Sequence, residues 1–162
     1  MPNNRDKNDF LEQVEKHQGI VHKVCFVYGR TPADREDLKQ EIMLHLWKSY
    51  SSFAGRSGFS TWMYRVALNT AISFKRKVTA SGQSQTEQLR ADSLGQQPEY
   101  RDDLRDLRRM IAGLNDIEKA IIMQWLDERS YEEIADTMGM SVKNISVRLV
   151  RIKTRLAEEA RQ

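Results

Sequence analysis

The side chains best suited to chemistry in this chain are the cations and aromatic rings between Phe53 and Lys77. This stretch of 25 residues contains no Asp or Glu. Rings can stack on unstacked bases and cations can meet phosphates, so the composition suits a surface that holds single-stranded nucleic acid. A basic helix whose aromatic residues all lie in a core is the alternative. The cations are Arg56, Arg65, Lys75, Arg76 and Lys77, and the rings are those of Phe53, Phe59, Trp62, Tyr64 and Phe74.

A helix predicted over residues 61–77 divides this stretch into two faces. Ser60 or Thr61 is expected to cap its first turn. The face expected to pack inward carries Met63, Ala67, Thr70, Ala71 and Phe74. The face expected to point outward carries Trp62, Arg65, Asn69 and Arg76. On that outward face Asn can read base edges, Arg can hold phosphates and Trp can stack.

A helix is also predicted over residues 34–50, with Asp34 as its N-cap. Its buried stripe consists of Leu38, Ile42 and Leu46, widened by Met43 and Trp47. A mostly polar strip beside the stripe contains Asp37, Gln40, Glu41 and Leu44. Taken alone, this strip is typical of a solvated helix face. Two of its carboxylates stand four residues apart and could ligate a metal, but no third ligand accompanies them.

The C-terminal part of the chain carries the pattern of a helix-turn-helix. Ser130 precedes the first helix, Ala135 is small where the helices cross, Gly139 suits the tight turn, and Ser141 caps the second helix. The second helix is expected to bury Val142, Ile145, Leu149, Ile152 and Leu156. Its outward strip consists of Asn144, Arg148, Arg151 and Arg155. A basic outer strip is what docking in the major groove requires, and a hairpin that does not bind DNA is the alternative.

The remaining pattern predicts an all-α protein of two small helical domains joined by a flexible linker. A first helix is expected over residues 10–28, ended by Gly29 and Pro32, and a short helix over residues 104–111. Asn115 or Asp116 should cap a further helix, whose buried stripe is Ile117, Ile121, Ile122, Trp125 and Leu126. The polar stretch between lacks a helical stripe long enough to bury. The expected domains are 1–77 and 100–162, with 78–99 as linker.

Several functional classes find no support in the sequence. The single Cys25 cannot form an internal disulfide, and neither it nor His22 has the second ligand pair of a metal site. No Gly-rich phosphate loop or Ser–His–Asp set occurs, so an enzyme is not expected. The N-terminus is not a signal peptide, and no apolar run approaches the ~20 residues of a membrane span. We therefore expect a cytoplasmic protein without metal or cofactor.

Three segments, in this order, resemble those of the extracytoplasmic-function (ECF) group of bacterial sigma factors. D-R-E-D-L-K-Q-E-I-M-L-H-L-W at residues 34–47 resembles the helix of that group that binds core RNA polymerase. F-A-G-R-S-G-F-S-T-W-M-Y-R-V-A-L-N-T-A at residues 53–71 resembles its segment for promoter melting and −10 recognition. Residues 114–149 resemble its −35-binding domain. The resemblance covers nearly the whole chain.

The resemblance implies roles for the matching positions and no catalytic residue. The expected surface for core polymerase, meaning the clamp helices of its largest subunit, comprises Asp37, Gln40, Glu41 and Leu44. The expected −10 and melting residues are Arg56, Ser57, Phe59, Trp62, Arg65, Asn69 and Arg76, with the loop at residues 54–58 capturing a flipped base. The expected −35 residues are Ser141, Lys143, Asn144, Arg148 and Arg151.

The implied partners are core RNA polymerase, contacted at its clamp helices and flap, promoter DNA, and an anti-sigma factor. The anti-sigma factor would cover either the helix at residues 34–47 or the outward strip at residues 141–155. A stand-alone repressor or activator with one helix-turn-helix and an N-terminal sensor domain is the main rival interpretation. It explains residues 114–160 equally well, but it leaves the acid-free stretch from Phe53 to Lys77 unexplained.

Overall fold

A computed structural model describes residues 4–53, 55, 58–80 and 102–161 of the chain. Within these ranges the regular elements are helices, and no strand is present. The chain divides into two compact units, residues 1–95 and residues 96–162. The predicted all-α class with two domains is confirmed.

The N-terminal unit contains four α-helices and one short 3-10 helix. They are α1 (Asn4–Lys16), α2 (Gln18–Tyr28), α3 (Pro32–Ser49), the 3-10 helix Tyr50–Ser52 and α4 (Phe59–Ala80). Helices α2, α3 and α4 pack against one another in pairs. Their fully buried side chains are Val24, Leu38, Ile42, Leu46, Met63, Ala67 and Ala71. The stripes predicted for α3 and α4 therefore form this core, with Phe74, Met43 and Trp47 half-buried at its edge.

The single helix predicted over residues 10–28 is wrong, because the chain breaks at His17 into α1 and α2. The Nδ1 of His17 donates to the carbonyl of Gln13 at 3.0 Å, and the same carbonyl accepts the backbone amide of His17 at 3.1 Å. Gly19, which is a poor helix former, follows two residues later. Helix α1 also starts six residues before the predicted beginning, at Asn4.

Thr31, and not Asp34, caps α3. The Oγ1 of Thr31 accepts a hydrogen bond from the amide of Asp34 at 3.0 Å, and Pro32 occupies the first turn. Proline is favoured there because its missing N–H would have had no helical partner. The sequence interpretation treated Pro32 only as a break and so placed the start of the helix too late.

Helix α4 is longer than predicted at both ends, since it runs from Phe59 to Ala80. Neither Ser60 nor Thr61 is its cap, because both residues lie inside the helix. The amide of Trp62 donates to the carbonyl of Gly58 at 3.2 Å, which sets the first turn. The first three residues of the expected linker are therefore helical, and the rest of that linker lies outside the described residues.

The C-terminal unit contains α5 (Asp102–Ile111), α6 (Asp116–Leu126), α7 (Tyr131–Met138) and α8 (Val142–Ala160). Helices α6, α7 and α8 pack against one another. The buried apolar residues of this unit are Ile111, Leu114, Ala120, Ile121, Ile122, Met123, Ile134, Ala135, Ile145, Leu149 and Ile152.

The caps of this unit follow the predicted chemistry. Side-chain oxygens of Asn115, Ser130 and Ser141 each accept a hydrogen bond from a first-turn amide, at 2.8, 3.1 and 3.1 Å. The carboxylate of Glu133 accepts a hydrogen bond from the amide of Ser130, which completes a capping box. That bond holds the pKa of Glu133 below its ordinary value. Gly139 has φ +66°, the left-handed conformation expected at the tight turn.

Two residues predicted to be buried are exposed. Leu126 is 41% exposed and Val142 is 41% exposed. Leu126 is the last residue of α6 and Val142 the first of α8. A residue at a helix end has neighbours on one side only, so the periodicity that identifies a buried stripe does not show where burial stops.

Gly29 provides a test of packing between α2 and α3. A Cβ added at Gly29 would lie 2.6 Å from Cγ of Arg35 and 2.7 Å from the carbonyl oxygen of Cys25. Arg35 is itself fixed, because its Nε donates to the carbonyl of Gly29 and its guanidinium lies 4.9 Å from the ring centre of Phe26. We predict that Gly29→Ala lowers the free energy of unfolding by about 1–3 kcal/mol in urea titrations.

Gly19→Ala is the matched control for this change. A Cβ at Gly19 would meet no atom within 4 Å, and the residue lies within α2. Alanine is the better helix former, so this change should raise the free energy of unfolding by about 0.5–1 kcal/mol. Equal effects of the two substitutions would show that the contact with Arg35 does not constrain the fold.

Candidate nucleic-acid interface

The outer surface of α8 brings four of the predicted −35 residues together. Lys143, Asn144 and Arg151 are exposed, and Arg148 is half-buried. The Nε of Arg148 donates to Oδ1 of Asn144 at 3.0 Å, so these two side chains form a pair on this surface. Arg and Asn are the side chains that bind guanine and adenine edges most often. The fifth residue, Ser141, is exposed but serves as the N-cap of α8.

Arg155 lies on the same helix but binds the protein itself. Its Nη2 donates to the carbonyl of Gly113 at 2.8 Å, and its guanidinium lies 3.7 Å from Glu118 and 3.5 Å from Glu159. Arg155 is exposed, as predicted from its place on the outward strip of α8. Its hydrogen bond nevertheless ties α8 to the turn between α5 and α6.

Nearby, Lys153 covers an aromatic ring of the C-terminal unit. Its Nζ lies 4.7 Å from the ring centre of Trp125. A cation over an indole face is attracted by the ring quadrupole. This contact and the hydrogen bond of Arg155 fix the second half of α8 against α6 and the α5–α6 turn, while the first half presents its cations to the outside.

The N-terminal unit contains a continuous aromatic cluster at the base of the loop at residues 54–58. Its members are Phe10, His17, Trp47, Tyr50, Phe53, Phe59 and Trp62. Phe53 and Phe59, the residues on either side of the loop, contact each other edge to face at 5.8 Å between ring centres. Trp62 lies 5.1 Å from Phe53 and 5.3 Å from Phe59. Both ends of the loop are therefore held on one indole ring.

The prediction that Trp62 lies on the outward face of α4 is wrong. Trp62 is 8% exposed. The helical wheel placed it away from Met63 and Ala67, but the 3-10 helix and Phe53 cover that side of the first turn of α4. Further along α4, Asn69 and Arg76 are exposed and Arg65 is half-buried.

Of the remaining predicted −10 residues, Phe59 belongs to this cluster and is half-buried. Arg56 and Ser57 lie outside the described residues. His17 is not among the predicted site residues, and it contacts Phe59 at 5.3 Å between ring centres. Its spacing from Phe10 and Val14 places it on an apolar stripe, but that spacing does not show that Phe59 lies beside it.

The strip predicted to meet polymerase borders an apolar groove between α1 and α3. Gln40 and Leu44 line the groove, whose volume is about 480 Å³, and Leu44 is 50% exposed. Asp37 is exposed beside it and Glu41 is half-buried. The sequence interpretation missed the opposite wall, where Leu11 is 48% exposed. The groove is completed by Lys7, Phe10, Glu36, Lys39, Met43 and Trp47.

Among the described residues, the other reactive groups do not form a catalytic or metal-binding cluster. Cys25 is buried, and burial raises the pKa of its thiol to about 12, so it remains protonated at neutral pH. Across the described ranges no three His, Cys, Asp or Glu residues lie close enough to hold a metal ion. In the same residues, no helix has both the length and the hydrophobicity required to cross a bilayer.

Both units match models of known protein families. Residues 13–80 match the model of Sigma-70 region 2, and residues 104–156 match that of Sigma-70 region 4. The ECF RNA polymerase sigma-E factor of Escherichia coli K12 is 32% identical over 164 residues, which cover 91% of this chain and 84% of that protein. This chain belongs to the ECF sigma factors.

Two further relatives define the extent of this likeness. SigG, an ECF RNA polymerase sigma factor of Mycobacterium tuberculosis, is 35% identical over 71 residues, which are 44% of this chain but 19% of SigG. The solved structure of the sigma factor RpoE in complex with the anti-sigma factor NepR from Bartonella quintana has a TM-score of 0.71 at 23% identity. It covers 93% of this chain and 95% of that chain, and it establishes a shared fold.

Membership of the ECF sigma factors removes the main rival interpretation. That interpretation requires the N-terminal unit to be a sensor domain. The match of residues 13–80 to Sigma-70 region 2 includes α4, the acid-free helix that the rival left unexplained.

The buried position of Trp62 in this sigma factor gives a direct test. We predict that Trp62→Ala lowers the free energy of unfolding by roughly 3–5 kcal/mol, because it empties the centre of the aromatic cluster. Asn69→Ala, on the exposed face of the same helix, should change it by less than about 0.5 kcal/mol. Urea unfolding followed by circular dichroism measures both. A Trp62→Ala variant of ordinary stability would place the indole outside the core after all.

Proposed function

We propose that this chain binds core RNA polymerase and directs promoter-specific initiation, reading a −35 duplex with α8 and opening the −10 element with α4 and the loop before it. The observation that carries the proposal is the presence in one chain of two different anion-binding surfaces. One is the cationic outer face of a helix-turn-helix, and the other is an acid-free helix beside an aromatic cluster. Duplex and single strand require these two different surfaces.

The −35 role rests on the first half of α8. Its cations can neutralise phosphates on both sides of a major groove, while Asn144 and the Arg148 that binds it face base edges. Each good bidentate contact discriminates against a wrong base by about 1–3 kcal/mol. A single small unit of this kind supplies modest affinity, so we expect tight promoter binding only in the complex with polymerase.

The −10 role rests on the aromatic cluster and the cations of α4. Extruding a base costs a few kcal/mol, which stacking on an aromatic ring offsets by roughly 1–3 kcal/mol per base. Phe59 offers such a ring next to the loop, whereas Trp62 is buried against Phe53 and Phe59, the residues that flank the loop. Asn69 and Arg76 would follow the separated strand along the exposed side of α4. Arg56 and Ser57, which belong to the loop, are included in the proposal on the family resemblance.

The polymerase contact rests on the groove between α1 and α3. Leu44 and Leu11 present apolar surface at its rim, while Asp37 and Gln40 can fix orientation by polar contacts. Such a surface, an apolar centre with a polar border, is the usual composition of a protein interface. The clamp helices of the largest subunit are a suitable partner for this groove, because a helix with an apolar stripe can lie in an apolar groove. The flap would contact the C-terminal unit.

We further propose that an anti-sigma factor regulates this chain in the cytoplasm and that the chain catalyses no reaction itself. RpoE is described in complex with NepR, an anti-sigma factor. In this chain the exposed leucines of the α1–α3 groove and the outer face of α8 are the two surfaces whose coverage would prevent polymerase or promoter binding. Either surface would suffice for inhibition.

Run-off transcription tests the proposal as a whole. Purified chain and core RNA polymerase are incubated with a library of genomic fragments, and transcripts are sequenced from their 5′ ends. Discrete start sites preceded by two shared elements are expected. A folded chain that supports no start on any fragment would refute the proposal. Core polymerase alone and a chain without core polymerase serve as controls.

Two arginines of α8 provide a matched pair for the −35 assignment. Arg151→Ala should weaken −35-dependent initiation by roughly five- to 100-fold while leaving stability and core binding unchanged. Arg155→Ala removes the same residue type one turn later, where the guanidinium binds Gly113 and Glu118. It should lower the free energy of unfolding and have the smaller effect on initiation when both proteins are folded. Titration of a promoter with holoenzyme, beside thermal unfolding, distinguishes the two.

Leu44 tests the assignment of the polymerase surface. Leu44→Ala should weaken binding to core polymerase about tenfold, because it removes apolar surface at the rim of the groove. Leu126→Ala is the control, since Leu126 is similarly exposed at 41% but lies in α6. Binding is measured by fluorescence anisotropy with a labelled chain. Unchanged affinity of Leu44→Ala would move the polymerase contact away from this groove.

A further inference from the structure

Exposed valines occupy the middle of the outer face of α8. Val147 is 42% exposed and Val150 is 56% exposed. They stand three residues apart, so they lie on the same side of the helix. The buried residues Ile145, Leu149 and Ile152 lie on the other side. These valines are therefore not part of the hydrophobic core.

Neither helix formation nor solubility favours valine at these positions. Valine is a weaker helix former than alanine, lysine or glutamate because its branched side chain loses rotamer freedom. An apolar side chain that stays exposed to water also contributes no hydrophobic stabilisation to the fold. Two such residues at the centre of an otherwise polar face point to a ligand that offers apolar surface in return.

The charges around the valines indicate which ligand this is. Lys143 precedes Val147 by one turn and Arg151 follows it by one turn, and both are exposed. By helical geometry each lies about 40° from Val147, so cations flank the apolar centre along the axis. Cations at the border fit phosphates, and in the major groove the apolar group that a base presents is the 5-methyl group of thymine.

We propose that Val147 and Val150 are specificity-determining residues that contact thymine 5-methyl groups in the −35 element. The proposal rests on the proposed function of α8. It assigns recognition of the thymine methyl group, which forms no hydrogen bond. Hydrogen-bonding side chains on the flank, Asn144 and Arg148, would address neighbouring base pairs. The −35 element should therefore contain one or two A·T pairs at fixed positions.

Deoxyuridine provides the test, because it differs from thymidine only in lacking the 5-methyl group. A fragment enriched by run-off selection is synthesised with each thymine of its −35 element replaced in turn by deoxyuridine. Affinity is measured for the full chain in complex with core polymerase. Loss of one contacted methyl group should weaken binding about fourfold, at one or two positions only.

Valine variants connect that effect to the two residues. Val147→Ala or Val150→Ala should bind the thymine and deoxyuridine fragments equally well at the position that each side chain contacts. Val142→Ala is the matched control, since Val142 lies on the same helix with 41% exposure but about 140° around the axis from Val147. It should preserve the fourfold ratio. Circular dichroism confirms that the variants remain folded.

The remaining outcomes overturn the proposal in distinguishable ways. If the chain selects a −35 element but binds thymine and deoxyuridine versions equally at every position, the valine assignment is wrong and the proposed function stands. The same holds if the valine variants keep the fourfold ratio but abolish self-association in sedimentation, which would identify a second copy as the occupant. If no fragment is enriched, both the proposed function and this inference fail.

Discussion

The N-terminal unit depends on the contact of Trp62 with both ends of one loop. Phe53 and Phe59 lie within 5.3 Å of its ring centre, on either side of residues 54–58. Tyr50 and Phe10 extend the same cluster towards α1 and the end of α3. Bringing the two ends of a segment together costs conformational entropy. The packed rings of Phe53, Phe59 and Trp62 offset that closure cost within the folded unit.

Sequence periodicity predicts this fold well wherever a helix is covered from one side. The stripe of Leu38, Ile42 and Leu46 and the caps at Ser130 and Ser141 are found where the pattern places them. Periodicity fails where coverage comes from elsewhere. Trp62 is buried by a turn that a wheel of α4 alone does not contain. The break between α1 and α2 at His17 leaves no trace in the spacing of apolar residues.

Residue types and their spacing in the sequence also predict part of the candidate surfaces, and tertiary packing decides the rest. The outward position of Arg151 and Arg155 follows from helical geometry, but their different environments do not. The carbonyl of Gly113, 42 residues before Arg155, and the carboxylate of Glu118 bind the guanidinium of Arg155 and give it a structural role. The groove beside Leu44 likewise requires α1, whose first six residues precede the predicted first helix. Contacts between residues far apart in the sequence therefore decide which cations and apolar residues form each surface.

The placement of the three tryptophans has a spectroscopic consequence. Trp47 and Trp62 both belong to the aromatic cluster of the N-terminal unit, whereas Trp125 lies beneath Lys153 in the C-terminal unit. Each unit therefore contains its own intrinsic fluorophore in a different surrounding. An ammonium group near Trp125 and packed rings around Trp62 should give the two units separate emission maxima and quenching behaviour. Native fluorescence can thus follow each half of an unlabelled chain while it engages polymerase.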